Sequence, residues 1–141
     1  MKKYLVDSKQ LWHQINMPGV VGGVYKLHCF TSDDHQDVIP VNRVLGTDNE
    51  GVLYIGKADC FLDRVIELKK TILPESEYKT DTHICGRRYW TKIHKNFRIK
   101  FPVKRLCVSL VKSDTPEKSE KEELEEYCMK FGEIPPLNRM G

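Results

Sequence analysis

Two short strand-type runs, each setting a glycine and a tyrosine close together, constrain this chain more than any other feature: Gly23-Val24-Tyr25 and Tyr54-Ile55-Gly56. β-Branched and aromatic residues suit a pleated, half-buried surface, whereas a glycine inside such a run marks a close approach of another backbone or ring. Between the runs, Val38 to Leu45 reads as a further strand, and Thr47-Asp48-Asn49-Glu50-Gly51 is a strong turn signal leading into Val52 to Gly56. The two tyrosine runs can therefore return on each other as antiparallel neighbours.

A helix must follow. Phe61, Leu62, Val65, Ile66 and Leu68 form an apolar stripe from Cys60 to about Ile72, Asp59 is placed to cap it, Arg64 projects from it, and Leu73-Pro74 ends it. Before the first run, Asp7 or Ser8 can cap a short helix to about Asn16 with Leu11, Trp12 and Ile15 on one side, stopped by Pro18-Gly19. Glu75 to Gly86 reads as a loop, Arg87 to His94 as a short basic helix and Leu106 to Val111 as a strand. Thr115 and Pro116 open a last helix whose Leu124, Tyr127, Cys128 and Phe131 repeat at helical spacing, and Gly132 closes it before an extended tail from Ile134 to Asn138. The expected architecture is α/β in the α+β sense: a small central antiparallel sheet of three or more strands flanked by helices. It forms a single domain, with residues 1–19 a helical extension and the core at about 20–138.

A chain of 141 residues with 40% hydrophobic content suits one core. The five cysteines are widely spaced and form no Cys-x-x-Cys pair, which disfavours a disulfide framework or a zinc ribbon and favours reduced, mostly buried thiols. The neighbours His28 and Cys29 would point to opposite faces of a strand, against a nucleophile pair. No apolar run approaches the roughly 20 residues that span a bilayer, and Met1-Lys2-Lys3-Tyr4 leads into polar residues, so a cytoplasmic location away from the membrane is expected. Net charge is only +3, but its distribution is uneven. Between Thr82 and Lys112 there is no acidic residue, while Arg87, Arg88, Lys92, Lys95, Arg98, Lys100, Lys104 and Arg105 are interleaved with Tyr89, Trp90, Phe97 and Phe101. Glutamates crowd the stretch that follows. One part of the chain attracts phosphate and the next repels it.

Taken in order, these residues resemble the GIY-YIG nuclease family over about Gly22 to Asn138. Gly23-Val24-Tyr25 stands for the first motif and Tyr54-Ile55-Gly56 for the second; Arg64 matches the arginine of the following helix; and Leu124-Glu125-Glu126-Tyr127-Cys128-Met129 with Pro136-Leu137-Asn138 matches the late helix and the asparagine after it. The longer segment between the tyrosine motifs is more similar to the restriction-endonuclease branch. The resemblance implies a divalent-metal-dependent endonuclease that hydrolyses phosphodiester bonds of double-stranded DNA as a monomer or transient homodimer.

It also implies roles. Glu125 would be a catalytic residue and the ligand of Mg²⁺ or Mn²⁺, a hard oxygen donor whose ion takes its other ligands from water and substrate. Tyr25 would accept a proton from water and Tyr54 orient water or phosphate; a free phenol titrates at about 10, so the cation and Arg64 must share in the activation. Arg64 would hold the scissile phosphate through its planar fork of donors, against the alternative of a helix-surface ion pair with Asp63 or Glu67. Lys57 is expected as a second phosphate contact. His83 is expected either on phosphate or as polar loop surface, and Arg87 and Arg88 as part of the duplex grip. Gly23, Gly56 and Asn138 would support the site structurally. Two other readings use the same residues: a non-catalytic nucleic-acid-binding module on this fold, and a protein-interaction domain.

Overall fold

A computed structural model of the chain describes residues 2–16, 21–73 and 83–138. The expected stop at Pro18-Gly19, Pro74 and most of the Glu75 to Gly86 segment lie outside the described residues. The elements are β1 (Tyr4–Leu5), α1 (Leu11–Ile15), β2 (Gly23–Cys29), β3 (Val41–Arg43), β4 (Gly46–Asp48), β5 (Tyr54–Ala58), α2 (Phe61–Ile72), α3 (Ile84–Tyr89), α4 (Lys95–Lys100), β6 (Leu106–Lys112) and α5 (Pro116–Phe131). Four strands form one antiparallel sheet in the order β1-β6-β2-β5, while β3 and β4 make a separate hairpin. The α+β architecture expected from the sequence is therefore present.

Alternation along β2 decides what each side of the sheet does. Tyr25, Leu27 and Cys29 face a core shared with α1 and α2 through Leu11, Ile15, Val65 and Leu68. Val24 faces a smaller cluster with Val52, Ile55, Tyr127 and Phe131, covered by α5. This period-2 division puts the two motif tyrosines on the α2 side.

β5 is an edge strand, and its edge is closed by the tail. Leu137 N–H donates to Leu53 O at 2.9 Å, and the Asn138 amide donates to Ile55 O at 3.0 Å while accepting from Ile55 N–H at 2.9 Å. The Asn138 side chain thus imitates a strand partner, consistent with a supporting role.

Several boundaries differ from the sequence reading. α1 begins at Leu11 because the Ser8 hydroxyl accepts from Gln10 N–H in a turn before it. α2 is preceded by Cys60, not Asp59, in the extended cap position. Gly46–Asp48, read as part of a turn, pairs with Val41–Arg43, and the Asp48 carboxylate instead nucleates the turn after it by accepting from Glu50 and Val52 N–H at 2.9 Å each. The single basic helix expected at Arg87 to His94 is divided into α3, a 3₁₀ turn at Lys92–His94 and α4. α5 and its left-handed Gly132 cap lie where the Thr115-Pro116 and glycine signals predict.

Candidate active site

Tyr25 on β2 lies opposite Gly56 on β5, and Leu27 lies opposite Tyr54, so the two tyrosines are diagonal neighbours on one face. A side chain at Gly56 would be impossible here: its Cβ would fall 2.5 Å from both Cζ and the hydroxyl oxygen of Tyr25. Gly23 is constrained similarly, its φ being +155° and a Cβ there falling 2.1 Å from Val111 O. Both motif glycines are thus explained by close approach, as expected of structural support.

His83 completes a triangle of rings. Its centroid lies 6.0 Å from that of Tyr25 and 6.1 Å from that of Tyr54, and the two tyrosine centroids are 6.1 Å apart. The Tyr25 hydroxyl meets His83 Nε2 at 2.7 Å, while His83 Nδ1 accepts from Cys85 N–H at 3.1 Å. Burial, helped by the Arg64 charge, lowers the His83 pKa to about 3, so the ring is neutral at ordinary pH. A neutral ring whose Nδ1 accepts must carry its proton on Nε2, and His83 therefore donates to the Tyr25 oxygen. The Arg64 charge lies near enough to that oxygen to favour its ionised form.

The reading of His83 as polar loop surface is corrected by its burial: it is 0% exposed. It caps α3, and its role is turned inward. Tyr25 is likewise at 0% exposure, so water does not reach its oxygen in this arrangement, whereas Tyr54 keeps 7%. Burial first, then the neighbouring Tyr54 and Cys85, raise the Tyr25 pKa well above the ordinary phenol value against the opposing effect of Arg64. Burial similarly pushes Tyr54 up to about 12. Both phenols are protonated at neutral pH in this state.

The carboxylate of the cluster is Glu120, not Glu125. Glu125 is exposed, five positions further along α5, about 140° around the helix axis. Glu120 continues the inward stripe of Leu124, Tyr127 and Phe131, is half-buried, and interacts electrostatically with Tyr54, Lys57 and Arg64. Burial raises its pKa, and the Lys57 and Arg64 charges offset this only in part. The expectation for Glu125 rests on the apolar residues after it and not on the inward stripe before it, and the structure places Glu125 on the exposed side of α5.

Arg64 also donates to Glu67 at 3.0 Å, the helix ion pair weighed against a phosphate contact. Burial works against the charge on Arg64, but Tyr25 and Glu67 more than compensate and its pKa is raised. Arg64 and Lys57 share the wall of an open cavity of about 340 Å³ with Asp63 and Glu67, beside but not including the tyrosines. Lys57 is exposed, its ammonium 3.9 Å from Glu117. Arg87 is exposed on α3. Arg88 donates to Leu137 O at 2.9 Å, holding the tail in place as well as lending charge near Tyr54.

Among the described residues no group of three or more His, Cys, Asp or Glu converges as a metal cluster. A larger cavity of about 370 Å³ lies on the other side of the sheet, lined by Lys26, Asp48, Glu123 and Tyr127 among others, and includes none of Tyr25, Tyr54, Arg64, His83 or Glu120. Also among the described residues, no helix is long and apolar enough to cross a membrane. No protein-family model, curated protein or solved structure matches this chain.

Proposed function

We propose that this protein is a divalent-metal-dependent endonuclease of GIY-YIG type that hydrolyses phosphodiester bonds in DNA. The observation that carries the reading is the convergence of Tyr25 on β2, Tyr54 on β5, His83 at the cap of α3, Arg64 on α2 and Glu120 on α5 into one neighbourhood beside β5. Structural packing needs tyrosines and a histidine in a core; it does not need a guanidinium charge beside a buried phenol and a half-buried carboxylate.

Glu120 fits a hard cation. Its carboxylate is half-buried and only partly compensated, and a single protein carboxylate suits an ion completed by water and phosphate oxygens. When bound, Mg²⁺ or Mn²⁺ would supply Lewis-acid stabilisation of the phosphate and lower the pKa of bound water. The protein's own residues do the rest. Lys57 and Arg64 border the cavity where a phosphate can be gripped, and the phosphate competes with Glu67 for the Arg64 fork. Tyr54, the partly open phenol, orients water or phosphate. Tyr25, receiving a hydrogen bond from His83 and facing the Arg64 charge, has a stabilised oxygen once the site opens enough to admit water.

Incubation of the purified protein with supercoiled plasmid and Mg²⁺ or Mn²⁺ tests the reading. Nicked or linear product with 5′-phosphate ends, abolished by a chelator and by Glu120→Gln or Arg64→Ala, is the expected result. Undiminished cutting by both variants overturns it. The second reading, a non-catalytic DNA-binding module, is favoured by the full enclosure of Tyr25 and the Arg64–Glu67 pair; it predicts salt-sensitive binding and no cleavage with any divalent ion.

A further inference from the structure

The 3₁₀ turn Lys92–His94 runs directly into α4, giving a helical segment roughly 14 Å long if built at the α-helical rise. Its inner side is fixed. Phe97 packs on Phe101 with centroids 4.7 Å apart, Arg98 donates to Tyr89 O at 2.7 Å and Thr91 O at 2.8 Å, and His94 Nδ1 donates to Arg88 O at 2.7 Å. Its outer side carries Lys92, Lys95, Asn96, Ile99 and Lys100, all exposed. Ile99 is 71% exposed among these polar groups, although burying it would be favourable. From residue 83 to residue 113 the chain has no acidic residue, so this surface is complementary to a polyanion.

A phosphate grip explains the lysines but neither the asparagine nor the isoleucine. These are side chains of base readout: asparagine pairs with the adenine edge, lysine with guanine, and an apolar group packs on the thymine methyl. The B-form major groove, about 12 Å wide, admits a single helix. We infer that the outer side of Lys92–Lys100 enters the major groove of duplex DNA and reads bases through Asn96 and Ile99, with Lys95 on a guanine or phosphate. This rests on the proposed function, since it takes DNA as the substrate. The rigid inner packing supplies the fixed geometry that readout needs, because Arg88 and α3 connect the segment to His83.

The test selects bound sequences from a randomised duplex pool with the full-length protein in the presence of chelator, then repeats the selection with Asn96→Ala and Ile99→Ala. The wild type should enrich a motif. Asn96→Ala should lose about 5- to 100-fold discrimination at one adenine, and Ile99→Ala should relax a thymine, each with the salt slope and circular dichroism unchanged. An unaltered motif in both variants overturns the inference, as does salt-sensitive binding with no motif at all; the nuclease reading survives either result. Equal binding to A-form RNA, whose deep major groove excludes side chains, also overturns the inference. Absence of any duplex binding overturns both.

Discussion

Two buried histidines lie on opposite sides of the same sheet, each bonded to a hydroxyl, and their hydrogen bonds run in opposite directions. His83 Nδ1 accepts from a backbone N–H, so its Nε2 donates to Tyr25. His28 Nδ1 lies 2.8 Å from Glu50 O, an acceptor, so it carries the proton there, and its Nε2 accepts from the Ser109 hydroxyl at 2.8 Å. One histidine favours negative charge on its partner oxygen, while the other takes a hydrogen bond from its partner. His83 also stands beside Arg64 and a second phenol; the His28 bonds join β2, β6 and the turn after Asp48. The same pair of side-chain types thus makes an oriented donor in one place and a latch in the other. What decides is the backbone atom that each ring meets first.

The largest effects should break that asymmetry at the site. His83→Leu removes the oriented donor and should lower cleavage about 100-fold, whereas His28→Leu should leave cleavage per folded molecule unchanged; equal losses in a plasmid assay would dissolve the distinction. His83→Gln, which retains an amide donor, should recover part of the activity and shift the alkaline rise of the pH–rate profile. That rise is expected because the Tyr25 pKa is raised, so its deprotonated form grows with pH.

Stability should then respond to acid at both rings. Burial lowers His83 to about 3 and His28 to about 4, from an unfolded value of 6.5. The unfolded chain binds more protons between those limits, so the stabilisation is complete above pH 6.5 and is lost as pH falls towards 4 and then 3. Thermal melts from pH 7 to 4 should show this, and His28→Gln should flatten part of the acid limb. Smaller again, His28→Leu should cost about 1–3 kcal/mol at neutral pH, because Ser109 and Glu50 O lose a buried partner. Smallest, Ser109→Ala should cost about 1 kcal/mol in denaturant melts, since only one neutral bond is lost.

Much of this was legible in the letters. Turn chemistry, period-2 runs and the Thr115-Pro116 and Gly132 signals are local, and they place the central strands and α5 where the structure has them. The pairing of β1 with β6 was not legible, because two residues carry no period and the contact is long-range. The closeness of Tyr25, Tyr54 and Arg64 was legible through their motifs. The approach of Glu120 to Tyr54 and Arg64 was not read although its signal was present: the Leu124, Tyr127, Phe131 stripe extended one turn upstream reaches it. His83 was misplaced because a histidine after a polar stretch looks solvent-facing, and only the packing of α3 against Thr71, through His83 N–H on its hydroxyl at 3.3 Å, turns it inward.

The tail that closes β5 also has a consequence for the order of events during synthesis. Leu137 and Asn138 leave the ribosome after every strand, so a nascent chain already able to pair β2, β5 and β6 still presents an open β5 border carrying Tyr54. In that interval a neighbouring nascent chain competes for the same backbone groups, and the proposed cutting centre is among the last parts of the molecule to be sealed.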